Sequence, residues 1–162
     1  MKTGTDLCLL PAGASTVADE KEGQPIAGEA GKLLVNMLAA VALSTDTNAY
    51  ITNLVKCRPT TANGGDRVPS DIEARACRPY LEREVALTGA GMVLTMGQIA
   101  ANGLLDKPLA EPLSASRGAV HALGEVPLVA TLHPGELLRR GADKALAWAD
   151  LCLAKAHDER TG

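Results

Sequence analysis

A chain of 162 residues with 46% hydrophobic content is long enough for one domain with a real core, which excludes an intrinsically disordered chain; with no Phe, one Trp and two Tyr, that core is built from Leu, Ala and Val. The net charge of −3 excludes the general basic surplus of phosphate-binding proteins, so any nucleic-acid contact has to be local. No apolar run reaches the roughly 20 residues of a membrane span, and residues 1–6 lack a signal-peptide pattern, so the expectation is a cytoplasmic protein whose four cysteines are reduced thiols or metal ligands.

The first element is an apolar run over residues 7–10, short enough for a buried strand. Pro11-Ala12-Gly13-Ala14-Ser15 follows, and its small residues predict a tight turn at which a ligand can approach the backbone. A helix is expected near 31–43, a strand over 50–55 and an exposed loop over 60–69, rich in Thr, Gly and Asn. Ser70 and Glu73 form a capping box that starts the next helix, with Ile72, Ala76, Tyr80 and Val85 expected on its buried face and Pro79 expected to kink or interrupt it. Residues 91–96 read as a buried strand ending at Gly97. A helix over 99–105, a strand over 126–132 and a final helix over 142–157 complete the chain. This alternation predicts an α/β fold, three layers α/β/α around a central, mostly parallel sheet of four to five strands, in one domain over 6–158 with a tail at 159–162.

In such sheets ligands bind beyond the carboxyl ends of the strands. Asn53, late in the second strand, offers both a donor and an acceptor there, although loop capping would satisfy it equally well. After the last strand, His133-Pro134-Gly135-Glu136-Leu137-Leu138-Arg139-Arg140 combines an ionisable ring, a rigid turn, an apolar pair and two cations. That combination suits an anionic ligand or transition state. No Gly-rich phosphate fingerprint supports a nucleotide-binding regulatory domain.

Five segments carry a specific resemblance. Gly23-Gln24-Pro25-Ile26-Ala27-Gly28-Glu29-Ala30-Gly31-Lys32-Leu33-Leu34, residues 50–59, Ala76-Cys77-Arg78-Pro79-Tyr80-Leu81, Met96-Gly97 and residues 133–139 occur in the order and spacing of the iron–sulfur, family 4 uracil-DNA glycosylases. The chain resembles that family from about residue 6 to 156. The resemblance implies a base-excision repair enzyme, a DNA-binding hydrolase that flips uracil out of DNA and cleaves its N-glycosidic bond. It assigns Asn53 to the uracil edge and His133 to the negative charge developing on the uracil oxygen. Leu137 and Leu138 become the apolar wedge in the minor groove, and Arg139 and Arg140 the phosphate contacts.

The chain also departs from the family. The first strand of the family ends in Gly-Glu-x-Pro-Gly, whose carboxylate positions the attacking water, whereas residues 7–18 here contain no Glu, Asp or Gln and the nearest acid is Asp19. A positioned acid–base group is worth about 10²–10⁴-fold in rate, although the related family 5 manages with an apolar residue at that place. Water would then be held by backbone groups of Ala12, Gly13, Ala14 and Ser15. Ile26 stands where the family stacks uracil on an aromatic ring, a contact worth roughly 1–3 kcal/mol. Cys57 and Cys77 match two of the four ligands of the family's [4Fe-4S] cluster, and the other two are missing, so a complete cluster needs ligands supplied upstream. Two functions stay open: a glycosylase using Asn53 and His133, and a non-catalytic DNA-binding or protein-interaction subunit of a replication or repair assembly.

Overall fold

The computed structural model describes residues 7–23, 26–56, 58–105, 109–111 and 113–161. Strand β1 (Cys8–Ala14) lies inside the sheet, between β2 (Ala49–Val55) and β3 (Met92–Met96); β5 (Val126–Thr131) and the edge strand β4 (Val120–Leu123) follow, giving the order β2-β1-β3-β5-β4. All pairings are parallel except β4 with β5. The expected mostly parallel α/β sheet is therefore the observed one, with five strands.

Period-two alternation divides the core. Cys8, Leu10 and Ala12 of β1 join Met92, Leu94 and Met96 of β3 on one sheet face. There they pack against α2 (Gly28–Ala40) through Leu34 and Leu38, and against α7 (Lys144–Thr161) through Leu151 and Ala154. Leu9 and Val93 point the other way, onto α3 (Asp71–Thr88) through Leu81 and Val85 and α4 (Gln98–Leu104) through Leu104. A third cluster seals the strand ends with Ala101, Leu113, Leu132, Leu137 and Ala147.

Three expectations are corrected. The small-residue turn after residue 10 does not form, because β1 continues through Pro11 to Ala14. Proline is tolerated because the ladder to β3 ends at Leu9, so Pro11 lies past the doubly bonded stretch. In α3 the capping box of Ser70 and Glu73 is present, but Ile72 is 77% and Tyr80 65% exposed and Ala76 faces solvent as well. The buried stripe is Ala74, Cys77, Leu81 and Val85, at the helical spacings of three and four that keep one face on the sheet. Pro79 does not interrupt the helix, which runs unbroken from Asp71 to Thr88 with Pro79 on its exposed side. No element of the described residues is a helix long and apolar enough to cross a membrane.

Four short elements went unread. They are α1 (Val17–Glu22), α5 (Leu113–Ser116), α6 (Pro134–Arg139) and β4. A two-residue turn joins β4 to β5, pairing Leu123 with Val126 and beginning at Gly124 with φ of 61°.

Candidate active site

A cavity of about 450 Å³ opens at the carboxyl ends of β1, β3 and β5. One wall is Gly13, Ala14, Thr16 and Asp19; the floor is Ile26, Ala27, Met96 and Gly97; the opposite wall is His133, Gly135, Glu136 and Arg139. A groove of about 660 Å³ lies against it and shares Gln98, Glu136 and Arg139. A larger cleft, about 1110 Å³ between α2 and the β2 edge, contains neither His133 nor Asn53.

His133 is the N-cap of α6, whose first helical residue is Pro134, a position where the missing proline N–H is harmless. Its Nδ1 accepts the backbone N–H of Gly135 at 2.9 Å. With Nδ1 as acceptor, the neutral ring carries its proton on Nε2 and can only donate from there. Burial pushes the imidazole below its ordinary value; Asp19 opposes that shift and Arg139 reinforces it. The ring is therefore held as a neutral hydrogen-bond donor. Gly97 makes room for it: with φ of 93°, it lies where a Cβ would come 3.4 Å from the His133 Cβ.

Asn53 is buried in β2, paired with Ala12 of β1. Its Nδ2 donates to Ser15 Oγ at 2.9 Å, while its Oδ1 is buried without a protein partner. An unsatisfied buried acceptor costs roughly 1–3 kcal/mol, which makes it a place for a donor brought by a ligand. Asn53, Ser15 and the buried Ala12 do not form the wall of the 450 Å³ cavity; Gly13, Ala14, Ile26 and His133 do.

The expected wedge is corrected in one of its two residues. Leu137 is fully buried in the cluster with Ala101, Leu132 and Ala147, because neighbours on a helix point about 100° apart and only one of the pair can face out. Leu138, 49% exposed, is the outward one, and Arg139 and Arg140 are exposed beside it.

Of the cysteines, Cys57 lies outside the described residues. Cys77 packs beneath one sheet face, Cys8 is buried on the other, and Cys152 is exposed on α7. Among the described residues no three His, Cys, Asp or Glu side chains are grouped to hold a metal. The three described thiols lie apart, Cys77 and Cys8 on opposite sheet faces and Cys152 on the outside of α7, and are not gathered to share a cluster.

Two buried carboxylates were missed. Asp19 accepts from the backbone N–H of Thr16 at 2.9 Å and of Ala27 at 2.8 Å, tying α1 to the cavity floor. The signal was Thr16 followed three residues later by Asp19, a capping box with Asp in place of Glu. Asp150 of α7 accepts from Thr131 Oγ1 at 2.7 Å and pairs with Arg117 at 2.6 Å, fixing the end of β5 two residues before His133. Nothing local in the sequence signals that contact.

The sequence pattern of the uracil DNA glycosylase superfamily matches residues 10–154. The chain is similar to the type-4 uracil-DNA glycosylase of Pyrobaculum aerophilum, 31% identical over 159 residues, covering 94% of this chain and 77% of that protein. It is also similar to the enzyme of the same name from Archaeoglobus fulgidus, 33% identical over 128 residues, 75% of this chain and 62% of that one. With the type-4 uracil-DNA glycosylase of Thermotoga maritima the identity is 26% over 146 residues, 89% of this chain and 73% of the other. An α/β sheet of this order, a histidine donor at its carboxyl end and matches across most of the chain lead to one assignment: the chain belongs to the uracil DNA glycosylase superfamily.

Proposed function

We propose that the chain, acting as one domain over residues 6–158 in the cytoplasm, flips uracil out of DNA and hydrolyses its N-glycosidic bond. The observation that carries this reading is His133: a neutral imidazole, its Nδ1 occupied by Gly135, offering only Nε2–H to a cavity at the strand ends. As the bond to the base breaks, negative charge grows on the uracil oxygen. A fixed donor in a site closed to bulk water stabilises that charge more than it stabilises the neutral base. Asn53 lies behind the cavity wall rather than on it, and its unpartnered Oδ1 matches the N3–H of uracil and opposes cytosine, so a base that uses it has to reach past Gly13 and Ala14. Ile26 packs on the base by shape alone, Leu138 fills the gap in the duplex, and Arg139 and Arg140 hold phosphates. Among the described residues no side chains are gathered to hold a cluster, and a replication or repair protein is a fitting partner.

The test uses labelled single-stranded and duplex oligonucleotides with one uracil, incubated with protein and cleaved by alkali at abasic sites. Breaks are expected with the native chain and should slow by about 10²–10³-fold in His133→Ala. Equal release by the native chain, His133→Ala and Asn53→Ala, all normally folded, would defeat the assignment. No breaks at stoichiometric protein would move the reading to binding without chemistry.

A further inference from the structure

The cavity at His133 and the groove beside it meet at Gln98, Glu136 and Arg139. With a base in the cavity and its flanking phosphates on Arg139 and Arg140, the deoxyribose joining them lies at this boundary; that placement rests on the function proposed above. The side-chain amide of Gln98 is already committed, donating to Asn102 Oδ1 at 3.2 Å and to the Leu109 carbonyl at 2.8 Å. Glu136 is not committed: among the described residues its carboxylate has no hydrogen-bond or ion-pair partner. Its Oε1 lies 3.8 Å from the point where a side chain on Gly97 would begin, and His133 Cβ lies 3.4 Å from the same point. The carboxylate and the imidazole thus flank one space that a glycine leaves open. The other acid of the cavity, Asp19, has both oxygens taken by backbone N–H groups.

We propose that Glu136 is the catalytic carboxylate of this chain, holding the attacking water and facing the positive charge that develops on the sugar. The water oxygen bonds to C1′ while the bond from C1′ to N1 of uracil breaks. The electron pair leaves on uracil, held by Nε2–H of His133, and the proton of the water passes to the Glu136 carboxylate. The acid absent from β1 is in this way supplied from α6, on the same short helix that His133 caps.

Two readouts test this. In single-turnover uracil release, Glu136→Gln should be slower by roughly 10²–10⁴-fold, Glu136→Asp should recover part of the loss, and Glu125→Gln, which removes an exposed charge in the β4–β5 turn, should not differ from the native chain. Separately, duplexes carrying a cationic pyrrolidine abasic analogue or its neutral tetrahydrofuran counterpart are titrated with protein. The native chain should prefer the cation by about tenfold, and Glu136→Gln should lose that preference. Native-like uracil release by Glu136→Gln overturns the role of Glu136 and leaves the glycosylase reading intact. A native chain that releases no uracil but shows a cation preference, lost in Glu136→Gln, overturns the glycosylase reading and keeps Glu136 as the sugar-facing charge. Equal binding of both analogues by the native chain overturns the proposal for Glu136.

Discussion

The two walls of the cavity are braced by the same device, a buried carboxylate, with different results. Behind the β5 wall, Asp150 is satisfied by side chains from two other elements, Thr131 and Arg117, so the strand end is locked from behind and His133 is carried on its front. Behind the β1 wall, Asp19 is satisfied by the backbone of its own neighbourhood, at Thr16 and Ala27, so the wall of Gly13, Ala14, Thr16 and Asp19 presents a carboxylate already committed to backbone N–H groups. One wall holds a charged network and the chemistry. The other holds a shape and one carboxylate that is spent on backbone N–H groups. A reacting group needs its supporting strand fixed independently of the ligand, and here only β5 has that support.

The comparison breaks most visibly in stability. Asp150→Ala leaves Arg117, 14% exposed, without its partner, and should cost roughly 3–5 kcal/mol. Asp19→Ala loses two hydrogen bonds to backbone N–H groups at a helix start and should cost about 1–2 kcal/mol. Urea unfolding followed by circular dichroism checks both. An Asp19→Ala midpoint as low as that of Asp150→Ala would end the asymmetry.

A smaller effect tests the shape of the β1 wall. A Cβ on Gly13 would sit 3.0 Å from both Cβ and Cγ2 of Ile99, so the first residue of the wall is closed to side chains by α4. Gly13→Ala should therefore cost about 1–3 kcal/mol through overpacking. Combined with Ile99→Ala, which itself opens a hole, it should cost less than the sum of the two single changes. Additive losses in a double-mutant cycle of urea midpoints would mean that Ile99 moves aside freely.

What could be read from the sequence follows the range of each signal. Strands β2, β3 and β5 and helices α2, α4 and α7 were legible within a few residues because apolar periodicity is local and repeated. His133 was legible because an ionisable residue before Pro134 at a strand end is a local pattern. Leu137 and Leu138 were not separable, since which of two adjacent leucines turns inward depends on the third core cluster rather than on either neighbour. The extension of β1 through Pro11 was hidden because proline and glycine argue for a turn, and only the early end of the β3 ladder permits a strand. Asp150 lies 19 residues from Thr131 and 33 from Arg117, beyond any window.

The smallest effect, and the one that links the walls, is the titration of His133. Its pKa lies below the ordinary 6.5, chiefly through burial. The protonated ring would donate from both nitrogens and would break the bond that Nδ1 accepts from Gly135, so the neutral ring is the working form. Single-turnover uracil release should therefore hold steady as pH falls through 6.5 and decline only on the acid side of it. Stability follows the same sign: a depressed folded-state pKa contributes stability that is present above 6.5 and lost as pH falls through the folded value. The two walls pull the acid limb in opposite directions, since Asp19 raises the pKa and Arg139 lowers it. Arg139→Gln should move the limb toward 6.5 and Asp19→Asn should move it further to acid, each read from the pH profile at saturating DNA. If both profiles overlay that of the native chain, burial alone sets the titration, and the β1 wall influences the reaction only by its shape.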